Sequence, residues 1–312
     1  EFYHKEKGEG VKFESDIAPF KPRGDIVLVG KACAPGATSV GSMDVSLHVG
    51  NISKIIRVFG DRRWEYSGRL LSTGFTDPEP FTEMELTYER AFGGIDTVGG
   101  GWCRENPFGR GFIAKKTKEA VDGVLLPNLE DPEDLINSWD DHPNPVGFGF
   151  YGRSAMPRAG YMGTYDDKWR EERSPDPPLD FKFDYYNAAN PDLQVEGYLK
   201  GDETVEIVNM TPDGRMKFKL PDIKLFAAIV RFKRQKKPMS MEEEFWNEEN
   251  NDNKDGKEED INLNLDTLCI IPDENRFYLV WRGIYQIQDL TAAEVKRVSV
   301  DSYPLTHVLD VL

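Results

Sequence analysis

The sequence predicts a mainly β protein, with antiparallel, sandwich-like sheets, a long loop-rich middle and a few short helices. Three observations carry this expectation. Apolar and polar residues alternate with period two near both ends of the chain, turn sequences punctuate that alternation, and from 91 to 200 glycine, proline, aromatic and charged residues mix without sustained periodicity.

Asp25 to Cys33 reads as a strand closed by Pro35-Gly36. Val45, Leu47 and Val49 alternate before Gly50-Asn51, and Ile55 to Phe59 follows as the next strand. In the middle, short helices are expected at Asp131 to Trp139, with Pro132 in the first turn, and at Tyr165 to Arg173. The clearest signal comes next: Val205 and Ile207, the turn Thr211-Pro212-Asp213-Gly214, then Met216, Phe218 and Leu220 interleaved with Arg215, Lys217 and Lys219. Residues 203–221 therefore read as a hairpin whose Gly214 supplies the positive φ.

Residues 239–260 form an acidic low-complexity insertion after the basic stretch Arg231 to Lys237, which reads as a hairpin with a long solvated tip. Leu263 to Ile271, the turn Pro272 to Asn275, and Phe277 to Trp281 read as another hairpin. A last helix is expected at Thr291 to Arg297, where Thr291 and Glu294 have capping-box spacing. One unit spanning 1–312 is favoured over two, with an N-terminal sheet region at 15–90, the loop-rich middle at 91–200, and a C-terminal sheet region at 201–300 that holds the insertion.

Composition narrows the function classes. The chain has 312 residues, 39% of them hydrophobic and 12% aromatic, which is too much apolar material for a disordered protein. Lys and Arg number 39 against 55 Asp and Glu, a formal charge of −16 that repels phosphate backbones and anionic membranes, so nucleic acid is not an expected partner. Cys33, Cys103 and Cys269 are odd in number and lack Cys-x-x-Cys spacing, which argues against a disulfide framework or a zinc knuckle and for a reducing, cytoplasmic compartment. No apolar run is long enough for a membrane-spanning helix. The chain begins at Glu1 without Met, which leaves room for a leader or a further N-terminal segment.

No motif makes a strong case for chemistry. Gly147-Phe148-Gly149-Phe150-Tyr151-Gly152 matches a dinucleotide-binding glycine pattern, but Pro143, Pro145 and Pro157 around it favour a loop over the strand-to-helix turn the pattern requires. Asn251 to Gly256 resembles half of a calcium loop, yet Asn262 stands where the bidentate Glu belongs. Trp139-Asp140-Asp141-His142 is an acid/base group, part of a metal site or, as favoured, a hydrogen-bond network that orders a loop. Asp61-Arg62-Arg63-Trp64 offers either a guanidinium and an aromatic face to a partner or an internal salt bridge beside a core tryptophan. No cofactor and no metal site is expected.

A series of short blocks carries a resemblance: Ser15 to Pro22, Met43 to Gly50, Val58 to Trp64, Leu86 to Gly94, Asn106 to Phe112, Leu126 to Pro132, Gly163 to Asp166, Tyr186 to Asp192, Gly197 to Glu203, and Leu265 to Leu268 with Val280 to Arg282. In this order they resemble a family of bacterial proteins of formerly unknown function, encoded beside type VI secretion genes and regarded as adaptors or chaperones that load toxic effectors onto the secretion spike. The resemblance implies a non-enzymatic cytoplasmic protein whose partners are an effector and the spike and tip proteins. It supplies no catalytic residue. Gly93, Gly94 and Gly109 are expected to serve backbone geometry.

The partner surface is expected among Asp61, Arg62, Arg63, Trp64, Glu89, Arg90, Phe92, Arg110, Trp139, Asp140, Tyr165 and Trp169, from the loops at 60–64, 90–112 and 139–169. A sheet edge extended by a partner strand is the second mode. The rival reading is a hydrolase or carbohydrate-active enzyme with Glu89, Asp140, Asp141 and Asp166 as candidate acids. A structural subunit of the secretion apparatus is a third.

Overall fold

The computed structural model describes residues 12–14, 17–67, 72–233, 257–285 and 293–303. Its strands run in chain order β1 (Gly24–Leu28), β2 (Lys31–Cys33), β3 (Ser42–Val49), β4 (Ile52–Phe59), β5 (Trp64–Ser67), β6 (Ser72–Phe75), β7 (Glu83–Glu85), β8 (Phe92–Gly93), β9 (Arg110–Gly111) and β10 (Leu129–Glu130). There follow β11 (Gln194–Val195), β12 (Thr204–Val208), β13 (Arg215–Lys219), β14 (Lys224–Lys233), β15 (Lys257–Ile261), β16 (Leu263–Ile271), β17 (Arg276–Gly283) and β18 (Ala293–Tyr303). Two short helices, α1 (Lys118–Val121) and α2 (Asp167–Glu172), lie in the middle. The protein is mainly β, with several antiparallel sheets.

The chain forms two compact units, one of residues 1–220 with 265–280, the other of residues 221–264 with 281–312. In the first unit a five-stranded sheet has the order β10-β4-β3-β12-β13. The hairpin alternation explains it. Val45, Leu47, Val49, Ile56, Val58, Val205 and Ile207 are buried, while Arg215, Lys217 and Lys219 on the edge strand β13 are exposed, and such lysines discourage pairing with a foreign strand. Gly50 (φ 59) turns β3 into β4, and Gly214 (φ 77) precedes β13.

A four-stranded sheet has the order β11-β1-β16-β17. β1 is buried along its whole length and pairs in parallel with β16, Asp25 opposite Thr267, so that Ile26, Val27 and Leu28 form an unbroken apolar run. The stretch expected as one strand, Asp25 to Cys33, is therefore two, β1 and β2, and β2 leaves to pair with β7. The expected hairpin at 263–281 is present, with Asn275 (φ 51) in the turn.

The second unit holds the antiparallel sheet β15-β14-β18. β14 and β15 make the expected hairpin around the acidic insertion, whose tip, like Asn251 to Gly256, lies outside the described residues. The helix expected at Thr291 to Arg297 is corrected. Residues from Ala293 onward are strand β18, paired with β14 from Lys224 opposite Tyr303 to Lys233 opposite Ala293; Thr291 lies outside the described residues.

The helix expected at Asp131 to Trp139 is also corrected. Asp131 Oδ1 accepts from the Glu133 amide, Glu130 Oε2 from the Ile136 amide, and Asp141 Oδ2 from the amides of Asn137 and Ser138. Side-chain oxygens thus take the donors a helix would use, and the segment becomes a series of turns. The helix expected near Tyr165 forms as α2, where Asp166 caps the Trp169 amide at 2.8 Å.

Candidate functional site

The loop-rich middle has a core of its own. Trp64, Phe92, Cys103, Ile113, Val121, Leu126 and Ile136 pack together, with Tyr66, Phe112, Val124 and Trp139 against them. Three expected surface residues are accordingly interior: Arg62, Trp64 and Phe92 are 3%, 2% and 3% exposed. Arg62 pairs with the buried Glu130, so the internal salt bridge beside a core tryptophan is what Asp61 to Trp64 forms.

Asp61, Glu89, Arg90 and Arg110 are drawn together by inward bonds. Arg90 Nη1 donates to Asn128 Oδ1 at 3.1 Å, Asn128 Nδ2 donates to Asp61 Oδ1 at 2.9 Å, and Arg110 Nε donates to the Glu89 carbonyl at 3.1 Å. Arg63 is exposed and donates to the Gly123 carbonyl. Trp139 is half-buried against the core, and exposed Asp140 accepts from the Ser138 hydroxyl, which holds its carboxyl below the usual range. The His142 ring lies 5.2 Å from that of Phe112, so residues 138–142 order a loop. Tyr165 is exposed and meets Trp169 edge-on at 4.6 Å. Gly147 to Gly152 is irregular, as expected.

A surface cleft of about 360 Å³ is lined by Arg23, Tyr151, Arg158, Tyr161, Asp184 and Asn187, among others. Its guanidinium groups are matched internally: Arg23 meets Asp184 at 2.7 Å, and Arg158 takes both oxygens of Glu14 at 2.5 and 2.6 Å. Glu89, Asp140, Asp141 and Asp166 do not line this cleft, and Asp141 and Asp166 accept backbone amides instead. Among the described residues no group of three His, Cys, Asp or Glu side chains is placed to hold a metal ion.

A different part of the middle has the character of a contact surface. Residues 95–108 expose four large apolar side chains: Ile95 (65%), Val98 (60%), Trp102 (51%) and Phe108 (40%). Ile95 and Trp102 face each other across an antiparallel bridge, which places both on one face of a small hairpin. Asp96 clasps that hairpin from beneath. It is almost fully buried; its Oδ1 accepts the amides of Val98 (3.0 Å) and Gly99 (2.6 Å), and its Oδ2 accepts the Ala114 amide at 2.8 Å. The backbone closes the same turn, since Asp96 N donates to Gly101 O and Gly100 N to Asp96 O, each at 3.0 Å.

Isolated apolar side chains on a surface need no explanation. Three on a hairpin fixed by a buried carboxylate do, because a rigid apolar anchor loses little entropy on binding. The Met156 amide donates to the Arg104 carbonyl at 2.9 Å, which ties the segment bearing exposed Met156 and Met162 to the bend that follows the hairpin. Sequence reasoning missed Ile95, Asp96, Val98 and Trp102. The signal present was Asp96-Thr97-Val98-Gly99, the spacing of a side-chain-closed turn.

Burial alone raises the Asp96 pKa, but the amides of Gly99, Ala114, Val98 and Lys115 outweigh it and hold the carboxyl below the ordinary range. A depressed carboxylate pKa contributes stability above the unfolded value, about 4, and that contribution is lost as pH falls through the folded value. Asp96→Asn is therefore expected to cost about 1–3 kcal/mol at neutral pH, with the deficit shrinking on acidification; urea unfolding of both proteins across the pH range measures it.

The family model described as "Uncharacterized protein conserved in bacteria (DUF2169)" matches residues 1–282. The chain belongs to this family. No curated protein and no solved structure matches it. The DUF2169 match covers every ordered block noted in the sequence and the whole loop-rich middle, including the 95–102 hairpin. Among the described residues, no helix is long and apolar enough to cross a membrane.

Proposed function

We propose that this DUF2169 chain is a non-enzymatic cytoplasmic adaptor or chaperone of bacterial type VI secretion, which binds a secreted effector and helps load it onto the spike. The observation that carries the gripping half is the clasped hairpin with Ile95, Val98 and Trp102 exposed. The secretion half rests on the ordered sequence blocks and their resemblance to secretion-associated adaptors. Its partners are proteins, and its acidic charge of −16 disfavours nucleic acid.

The test is a pull-down from the bacterium that encodes the protein, with wild type and Trp102→Ala as baits. Wild type is expected to recover a toxin and a spike or tip component. Loss of a central aromatic anchor costs about 2 kcal/mol or more, roughly a 30-fold weakening, so Trp102→Ala should recover much less. Recovery of neither protein by wild type, together with turnover of a glycan or peptide, would overturn the adaptor reading in favour of an enzyme.

A further inference from the structure

The hairpin has a charged flank opposite in sign to the chain. The backbone at Ala114 and Lys115 runs directly beneath it: Ala114 donates to Asp96, and a Cβ on Gly99 would lie 3.1 Å from the Lys115 amide nitrogen. Exposed Lys115, Lys116 and Lys118 follow, and the Thr117 side chain caps α1 by accepting from the Ala120 amide at 3.2 Å. Ala120 and Val121 are buried. The lysine run is thus anchored at one end by the Asp96 clasp and at the other by a helix docked in the core. Residues 114–118 carry three exposed Lys and no acid, within a chain of charge −16. Asp140 offsets part of the Lys116 charge, and the Lys116 ammonium lies 5.7 Å from the Trp139 ring, while Lys115 and Lys118 are likewise exposed.

An apolar anchor with a cationic border fits a surface of the complementary kind. We propose that the 95–102 hairpin and its Lys115 to Lys118 flank dock a protein segment in which apolar side chains alternate with carboxylates. This deepens the adaptor reading and rests on it, by naming the chemistry of the segment gripped. The charge of the whole chain selects a protein over an anionic bilayer. A bilayer presents its negative charge as a continuous sheet that repels the rest of an acidic protein, whereas a segment presents it locally.

The test uses the full chain and two fluorescein-labelled peptides, one alternating Phe and Leu with Glu, the other with Lys at every Glu position. Anisotropy titrations are expected to show the Glu peptide binding about tenfold or more tightly than the Lys peptide, with the preference weakened by high salt. The exposed-site variant Lys115→Glu/Lys118→Glu should erase the preference at an unchanged melting temperature, and Trp102→Ala should weaken binding of the Glu peptide. Absent or equal binding of the two peptides, or a preference that survives the double variant, overturns the proposal. So does Trp102-dependent co-sedimentation with phosphatidylserine-phosphatidylcholine vesicles, which would make the surface a membrane contact. If the double variant captures the effector as well as wild type while Trp102→Ala does not, the adaptor reading stands and this inference falls. If wild type captures no effector yet prefers the Glu peptide, the reverse holds.

Discussion

Glu130→Ala is expected to lower the unfolding free energy by about 3–5 kcal/mol, one of the two largest losses foreseen for a single substitution in this protein. Glu130 stands on β10 and Arg62 just before β5; their side chains are 1% and 3% exposed and form an ion pair. The pair joins three stretches of chain. Arg62 Nη2 also donates to the Pro127 carbonyl at 3.0 Å, its guanidinium lies 3.7 Å over the Phe59 ring, and Glu130 Oε2 accepts the Ile136 amide at 2.8 Å. Among the described residues Arg62 Nε has no hydrogen-bond partner, so the guanidinium is already short of one acceptor.

Removing Glu130 would leave a buried cation without its countercharge and the Ile136 amide without its acceptor. The paired replacement Arg62→Met/Glu130→Leu removes both charges together and is expected to recover most of the loss, because a buried ion pair gains little over well-packed apolar side chains. Urea denaturation of Arg62→Met, Glu130→Leu and the double variant closes the cycle, with Glu130→Ala measured beside them. A cost below about 1 kcal/mol for Glu130→Ala would contradict the account.

The same residues show what could be read from the sequence. Alternation at Val205, Ile207, Met216 and Phe218, with Gly214 at the turn, specifies β12 and β13 because strand periodicity and turn chemistry are local properties. Asp61 to Trp64 admitted two readings, since only burial distinguishes an arginine facing a partner from one facing Glu130 across 68 positions of sequence. The two failed helices have the same origin. Thr291 and Glu294 satisfy a local cap pattern, but a ten-residue pairing with β14 outweighs it. Pro132 suits a first helical turn, but the carboxylates of Glu130, Asp131 and Asp141 claim the amides. The exposed hairpin was hidden for a related reason: Ile95, Val98 and Trp102 would ordinarily be assigned to a core, and only the tertiary fold shows them left outside it.

Gly94→Ala is expected to cost about 3 kcal/mol or more and to abolish the proposed effector binding at the same time. Gly94 has φ +93, and a Cβ there would sit 2.3 Å from the Gly109 carbonyl oxygen, so strain and collision add. The close approach is built by the Asn106 to Gly109 turn. Buried Asn106 donates to the carbonyls of Tyr88 (2.6 Å) and Phe92 (3.0 Å), and its own carbonyl accepts the Gly94 amide at 2.8 Å. Gly94 O in turn accepts the Cys103 amide at 2.9 Å, one step below the Ile95–Trp102 bridge, so the crossing that needs glycine is also the base of the hairpin. Gly100→Ala separates the two effects. Gly100 also has a positive φ, +75, but among the described residues nothing lies within 4 Å of its would-be Cβ, and the cost should stay near 1 kcal/mol with Ile95 and Trp102 still in place. Denaturation paired with effector capture is the measurement: Gly94→Ala should fail both, and Gly100→Ala should keep most of each. If Gly94→Ala were stable but could no longer bind, the base would be serving recognition directly rather than holding the hairpin proposed to do so.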